Sequence, residues 1–215
     1  MPPSLAHITT WLFDLDNTLY PHECEVMALV ERRMSAFVAR ETGLSHDEAY
    51  ALQKRYLNEH GTTLAGLMAH HGVEPRRFLD EVHDVSLDSL NPDYALNDLI
   101  AALPGRKIVF TNGDSFHAGR LLTKMEMGDL FDGIFHLEHA NFIPKPSLAT
   151  FELMMKAHVV NGADTVFFED SPRNLKPAHG LGMKTVLVGP KALDNTDMFV
   201  DFRSPSLKDF LTSLR

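Results

Sequence analysis

Two aspartates one residue apart, Asp14 and Asp16, follow an apolar run that begins around Ile8 and ends at Phe13. A short apolar run bounded by polar residues reads as a buried strand. Strands of parallel sheets are covered on both faces and show this near-continuous hydrophobicity. In open α/β sheets, ligands bind at the carboxyl ends of such strands. If the backbone stays extended, alternation points Asp14 and Asp16 the same way, and two like charges in one pocket need a cation or a retained proton. A lone pair of this kind also describes a solvated loop. Two further apolar strands end similarly, however: Lys107 to Phe110 runs into Thr111 and Asn112, and Thr165 to Phe168 runs into Glu169 and Asp170. If the three strands share one sheet, all these polar residues meet at one edge, a coincidence that separate surface loops do not explain.

Carboxylates gathered at a sheet edge make a hard, oxygen-rich site, which suits Mg²⁺ with several waters retained. Thr111 and Asn112 offer neutral donors at a strand end with a helix N-terminus behind them, an arrangement that favours an anion. Lys145 stands between Pro144 and Pro146, a point charge on a stiff turn, and lysine serves well as a phosphate partner. Metal, donors and lysine together describe a site for a phosphate dianion. In such a site a carboxylate can act as nucleophile, because the metal removes the repulsion between the two anions.

These residues need elements to position them. After Tyr20 and Pro21 the pattern becomes helical: apolar residues at Val26, Leu29, Val30, Met34, Phe37 and Val38 recur at a helical period. Gly43 reads as a stop, Ser45 and Glu48 as a capping box, Gly61 as a break, and Pro75 as the first turn of a further helix. Residues 21–88 therefore read as an all-helical insertion. Beyond Asn91 the chain alternates: helix Tyr94 to Leu103, strand Lys107 to Phe110, helix Phe116 to Met125, strand Ile134 to His136 and helix Leu148 to His158. Strand Thr165 to Phe168, helix Asn174 to Leu181 and strand Lys184 to Val188 follow, with a mixed tail and a closing helix from Leu207. That alternation predicts βαβ units and a parallel sheet, hence an α/β fold.

The 215 residues suffice for one large domain, or for a core with a smaller insertion. No apolar stretch approaches the roughly 20 residues needed to span a bilayer, and the N-terminus lacks a basic-then-apolar signal pattern. A net charge of −9 argues against general affinity for nucleic acid polymers or anionic membranes. Cys24 is the single cysteine; it permits no internal disulfide and fits a reducing, cytoplasmic setting. The expected assembly is a monomer or a homodimer.

The set Asp14-Leu15-Asp16-Asn17-Thr18-Leu19, Thr111-Asn112-Gly113, Lys145-Pro146 and Glu169-Asp170-Ser171 resembles the four ordered motifs of the haloacid dehalogenase superfamily. The resemblance implies a Rossmann-like, three-layer parallel-sheet core, residues 1–20 and 89–215, with an inserted helical cap domain at 21–88. It implies Asp14 as nucleophile and Asp16 as general acid/base. Thr111, Asn112 and Lys145 would bind the phosphoryl group. Mg²⁺ would be held by Asp14, Asp16 (through its backbone carbonyl) and Asp170, with Glu169 a further candidate. Dehalogenases of this superfamily lack an acid two residues after the nucleophile, and the transport ATPases carry lysine there. Asp16 can protonate a leaving oxygen and then activate water, so the expected reaction is hydrolysis of a small phosphomonoester.

Tyr56 to Leu67, Phe78 to Asp84, Phe110 to Gly113, and Asn174-Leu175 further resemble the pyrimidine 5′-nucleotidase branch. That resemblance implies a nucleoside monophosphate such as UMP or CMP. Glu169 departs from the branch, which usually has Asp there. Glu-Asp is common among sugar-phosphate phosphatases and mutases, and these form the alternative enzyme reading; a binding module without turnover is the third. Tyr20 and His22 at the expected hinge, and Thr62 and Thr63 beside Gly61, are the candidate specificity residues. The insertion's histidines, His60, His70, His71 and His83, read as surface groups.

Overall fold

The computed structural model describes residues 5–215; residues 1–4 of the expected core segment lie outside the described residues. β1 (Thr10–Phe13), β2 (Arg106–Phe110), β3 (Gly133–Phe135), β4 (Thr165–Glu169), β5 (Lys184–Val188) and β6 (Phe202–Ser204) form one sheet in the order β3-β2-β1-β4-β5-β6. Every neighbouring pair is parallel. β6 is an element the sequence pattern did not reveal: three residues in a mixed tail carry no usable period.

Alternation along the strands divides the core into two apolar layers. Trp11, Phe13, Val109, Val166 and Phe168 face one cluster, and Leu12, Ile108, Phe110 and Phe167 face the other. The first layer is completed by α5 (Tyr94–Ala101), α6 (Ser115–Lys124) and α9 (Leu207–Ser213), and the second by α7 (Leu148–His158) and α8 (Pro172–Gly180). Helices on both faces of a parallel sheet make the expected three-layer, Rossmann-like α/β fold.

Between β1 and β2 lie α1 (Val26–Thr42), α2 (His46–His60), α3 (Thr63–His71) and α4 (Pro75–Val82). Ser45 and Glu48 form the capping box that starts α2, and Gly43 closes α1 in the left-handed conformation, its N–H on the Ala39 carbonyl. α1 starts only at Val26, because His22–Cys24 forms a separate 3₁₀ turn after Pro21. α1 packs on α2 and α4, and α2 on α3; Phe37 meets Phe78 edge-on at 5.0 Å. Gly61, with φ +86°, ends α2 where the insertion meets the Lys145 turn. A β-carbon there would lie 3.1 Å from Pro144 Cγ and 3.2 Å from the Lys145 carbonyl oxygen, so a larger residue would push the two apart.

The strand order reverses direction between β1 and β4, and a crevice at the carboxyl ends of the strands opens at such a switch point. The core layer against the two strands is aromatic. Phe168, fully buried, stacks on Phe13 at 5.0 Å and on Trp11 at 6.3 Å. Phe168→Ala is expected to cost about 3–5 kcal/mol of stability, the usual range for deleting a buried phenyl ring; denaturant unfolding measures it, and a loss below about 1 kcal/mol would contradict this packing.

Candidate active site

β1 delivers Asp14 directly: its N–H continues the ladder to the Phe168 carbonyl at 2.9 Å. Extension then ends. Leu15 to Leu19 forms a turn in which the Thr18 and Leu19 amides return to the Leu15 carbonyl, with Asn17 at φ 61°. Asp14 and Asp16 thus reach one cavity of about 290 Å³ through a turn, not through strand alternation. Each has its own support.

Asp14 Oδ1 accepts from Lys145 Nζ at 2.6 Å, and Oδ2 accepts from the Thr18 hydroxyl at 3.2 Å. The Lys145 ammonium also donates to Glu169 Oε2 at 2.9 Å and to the Phe110 carbonyl at 2.8 Å. It is 1 % exposed and lies against the rings of Phe110 and Phe167. Asn112 fixes the lysine's backbone from both sides. Its Nδ2 donates to the Lys145 carbonyl at 3.1 Å, and its Oδ1 accepts the Lys145 N–H at 2.8 Å. Expected as a phosphate ligand, Asn112 has both ends of its amide engaged in placing Lys145. Thr111 is buried, and its hydroxyl accepts from the Gly113 amide at 2.8 Å; the O–H remains free to donate.

Asp16 Oδ1 accepts from the Tyr20 hydroxyl at 2.6 Å and faces His117 Nε2 at 2.8 Å. Tyr20 is therefore tied to Asp16 and is more than a hinge residue. His22 Nε2 lies 3.6 Å from Asp170 Oδ2 on a half-exposed side chain. Thr62 and Thr63 line the cavity wall opposite the strand ends. The Thr62 hydroxyl caps α3, accepting from Ala65 N at 3.1 Å, and the Thr63 hydroxyl donates weakly to the Gln53 carbonyl at 3.5 Å.

Among the described residues, Asp14, Glu169 and Asp170 each offer an oxygen within 4.8 Å of the others. Three carboxylates around one lysine leave excess negative charge, and hard oxygen donors in that number suit Mg²⁺. The Asp16 side chain stands outside this trio, with Oδ1 directed to Tyr20 and His117. Glu169 has both oxygens engaged, Oε1 with the Ser171 amide at 3.1 Å and Oε2 with Lys145.

These environments separate the two aspartates electrostatically. Burial, reinforced by the Glu169 charge, pushes the Asp14 carboxyl up to about 7 against the pull of Lys145. Burial and the Asp14 charge push Asp170 up to about 6. Burial also acts on Asp16, but the charge and hydrogen bond of His117 and the Tyr20 hydroxyl outweigh it and hold that carboxyl down at about 2. The ordinary value for both aspartates is 3.8.

Sequence reasoning missed His117, Gln53 and Arg173, and read as a surface group His83, which is buried. His117 had a signal: it lies three residues after Asp114, the N-cap of α6, so it sits in the helix's first turn facing the strand ends. Arg173 ties core to insertion, donating to the Leu57 and Gly61 carbonyls at 2.8 and 2.9 Å. Nothing local to its sequence announces that role.

With this geometry in place, comparison with known proteins is informative. Residues 8–182 match a family of haloacid dehalogenase-like hydrolases. Phosphate metabolism protein 8 of Saccharomyces cerevisiae is 31% identical over 193 residues, which cover 82% of this chain and 60% of that protein; the chain thus spans well under two thirds of the relative's length. Two solved structures share the fold. One is a HAD phosphatase from Thermococcus onnurineus, with TM-score 0.64, 18% identity and coverage of 96% of this chain and 98% of that one. The other is L-2-haloacid dehalogenase from Xanthobacter autotrophicus, with TM-score 0.60, 18% identity and coverage of 97% and 98%. The match over most of the chain, together with the sheet order, the three strand-end motifs and the Lys145 turn, makes this protein a member of the haloacid dehalogenase-like hydrolase family.

Proposed function

We propose that this chain is a Mg²⁺-dependent phosphomonoesterase acting on pyrimidine nucleoside monophosphates through an aspartyl phosphate on Asp14. The observation that carries the reading is the separate support of two aspartates in one cavity. Asp14 is gripped by Lys145, whereas Asp16 is held by Tyr20 and His117. A phosphatase and a dehalogenase resemble this fold almost equally, so the fold does not choose the reaction. Asp16 does, because only ester cleavage needs an acid for the leaving oxygen.

In the proposed reaction an Asp14 oxygen bonds to phosphorus as the ester P–O bond breaks, and the leaving oxygen takes the proton of Asp16. Water then attacks the acyl phosphate, gives a proton to Asp16, and frees Asp14 and inorganic phosphate. The turns that lead into α6 and α8, which line the cavity at Asn112, Gly113 and Ser171, would receive the phosphoryl oxygens, with the Lys145 charge fixed beside Asp14. Asp14, Asp170 and the Asp16 carbonyl would hold Mg²⁺, which would supply charge neutralisation between nucleophile and phosphate. A dication also favours the ionised form of Asp14 that attack requires, and an incoming phosphate dianion raises Asp16 towards the protonated form.

The helical insertion is read as a cap. Gly61 abuts the Lys145 turn and Arg173 holds two cap carbonyls, so cap and phosphate-binding turn are seated together, and closure of such a cap excludes water. The nucleotide preference rests on the motif resemblance in the cap and on the Gly61–Thr62–Thr63 wall of the cavity. The sugar-phosphate alternative rested on Glu169. Because Glu169 serves Lys145 and Ser171, that residue speaks to the lysine's support more than to the substrate.

Asp14→Asn is expected to abolish p-nitrophenyl phosphate hydrolysis with an unchanged circular dichroism spectrum; a normal rate would refute the mechanism. In a panel of phosphomonoesters, kcat/KM for UMP should exceed that for hexose phosphates by at least about tenfold, and parity would overturn the nucleotide assignment. Stability should report the metal. Asp14 and Asp170 have folded-state values above the ordinary 3.8. Folding then favours their protonated forms, and the metal-free protein loses stability as pH rises from about 4 to about 7. A dication binding the ionised carboxylates opposes that loss. Thermal melts should therefore show a larger rise in Tm on adding Mg²⁺ at pH 8 than at pH 5, with an equal rise at both as the contrary result.

A further inference from the structure

The support of Asp16 is one-sided. Both donors, Tyr20 and His117, sit on Oδ1. Oδ2 makes no hydrogen bond among the described residues and faces the cavity beside Gly113, 3.7 Å from where a β-carbon on that residue would be. One oxygen is therefore anchored and the other presented.

The anchor itself is braced. His117 is 1 % exposed, and its backbone N–H donates to Asp114 Oδ1 at 2.9 Å. Its ring stacks on His83 at 4.1 Å with 16° between planes, and His83 Nδ1 lies 3.0 Å from the same Asp114 oxygen. Each ring thus faces a carboxylate and donates to it, His117 through Nε2 and His83 through Nδ1. His83 belongs to the segment that leads from α4 back to the core. Arg120 pins that segment, donating to the His83 carbonyl at 2.7 Å and the Val85 carbonyl at 2.8 Å.

We propose that His117, braced by His83 and Asp114, is the positioning residue for Asp16, holding Oδ1 so that Oδ2 carries the proton to and from the reacting oxygens. The assignment rests on the reading of Asp16 as general acid/base. It adds that the acid/base is aligned by a core helix whose histidine is clamped by the returning cap segment. The alignment therefore depends on the cap's C-terminal end being seated.

The test compares two substitutions that fill the buried site with and without a donor. His117→Gln keeps a side-chain N–H near the Nε2 position, and His117→Leu fills the space with none. Both are assayed on UMP and on p-nitrophenyl phosphate at saturating Mg²⁺, alongside Asp16→Asn and the double variant Asp16→Asn/His117→Leu. kcat/KM reports leaving-group departure, where p-nitrophenolate needs little protonation and a ribose oxygen needs much. His117→Leu is expected to lower kcat/KM for UMP by about tenfold to a hundredfold, the scale of a misaligned catalytic group. It should lower the value for p-nitrophenyl phosphate by less than about threefold. His117→Gln should recover most of the loss, and the double variant should be no slower than Asp16→Asn alone.

Equal losses on both esters, or additive losses in the double variant, would show that His117 merely supports the fold and would overturn the proposal. Full activity in Asp16→Asn would overturn the acid/base reading itself, a failure visible without any His117 variant. If His117→Leu does not fold, His117→Asn, whose shorter amide does not reach Asp16 Oδ1, takes its place: a loss confined to UMP supports the proposal, and equal losses on both esters, or none, overturn it.

Discussion

A buried ammonium holds the centre of this molecule together. Lys145 touches Asp14 from β1, Glu169 from β4 and the Phe110 carbonyl from β2, so it bridges the three central strands at their carboxyl ends. Burying an ion pair is not in itself stabilising, because desolvation consumes much of the Coulomb attraction. What this arrangement secures is geometry. With one cation satisfied by two carboxylates and a carbonyl, none of the partners can move without leaving a charge unpaired in an apolar setting. Asn112 extends the constraint by gripping the lysine's own backbone.

The same constraint organises the insertion. The turn that carries Lys145 is met by Gly61, and the insertion's carbonyls at Leu57 and Gly61 are held by Arg173 of α8. Lys145, the cavity wall and the inserted helices are therefore one connected structure. The returning segment closes the circuit through Arg120, His83 and His117 to Asp16. The two aspartates that follow β1 are consequently answerable to different neighbours: Asp14 to the strand ends, Asp16 to the start of α6.

Electrostatics follow that division. Asp14 shares a dry pocket with other carboxylates and is pushed up. Asp16 meets a hydroxyl and an imidazole and is held down. Two carboxyls two residues apart acquire different behaviour from their surroundings alone, which is how one pair of identical side chains can divide the labour of attack and proton transfer.

Local chemistry in the sequence determined much of this. Capping residues, glycine stops and apolar periods place α2, α4, α7, α9 and β5 at or within a residue or two of their observed limits, because those signals act over a few residues. Convergence of Asp14, Lys145, Glu169 and Asp170 was also legible, since each follows an apolar strand or a rigid turn and a parallel sheet aligns strand ends. Tertiary structure alone decided the rest. The turn at Asn17 replaced strand alternation, Asn112 turned from the ligand to the lysine, and the pairing of His83 with His117 joins residues 34 positions apart through packing that no local pattern encodes. Residue types and their order specified which groups meet. Only the packed chain specified how the oxygens of each group are held, with both of Asp14 engaged and only Oδ1 of Asp16.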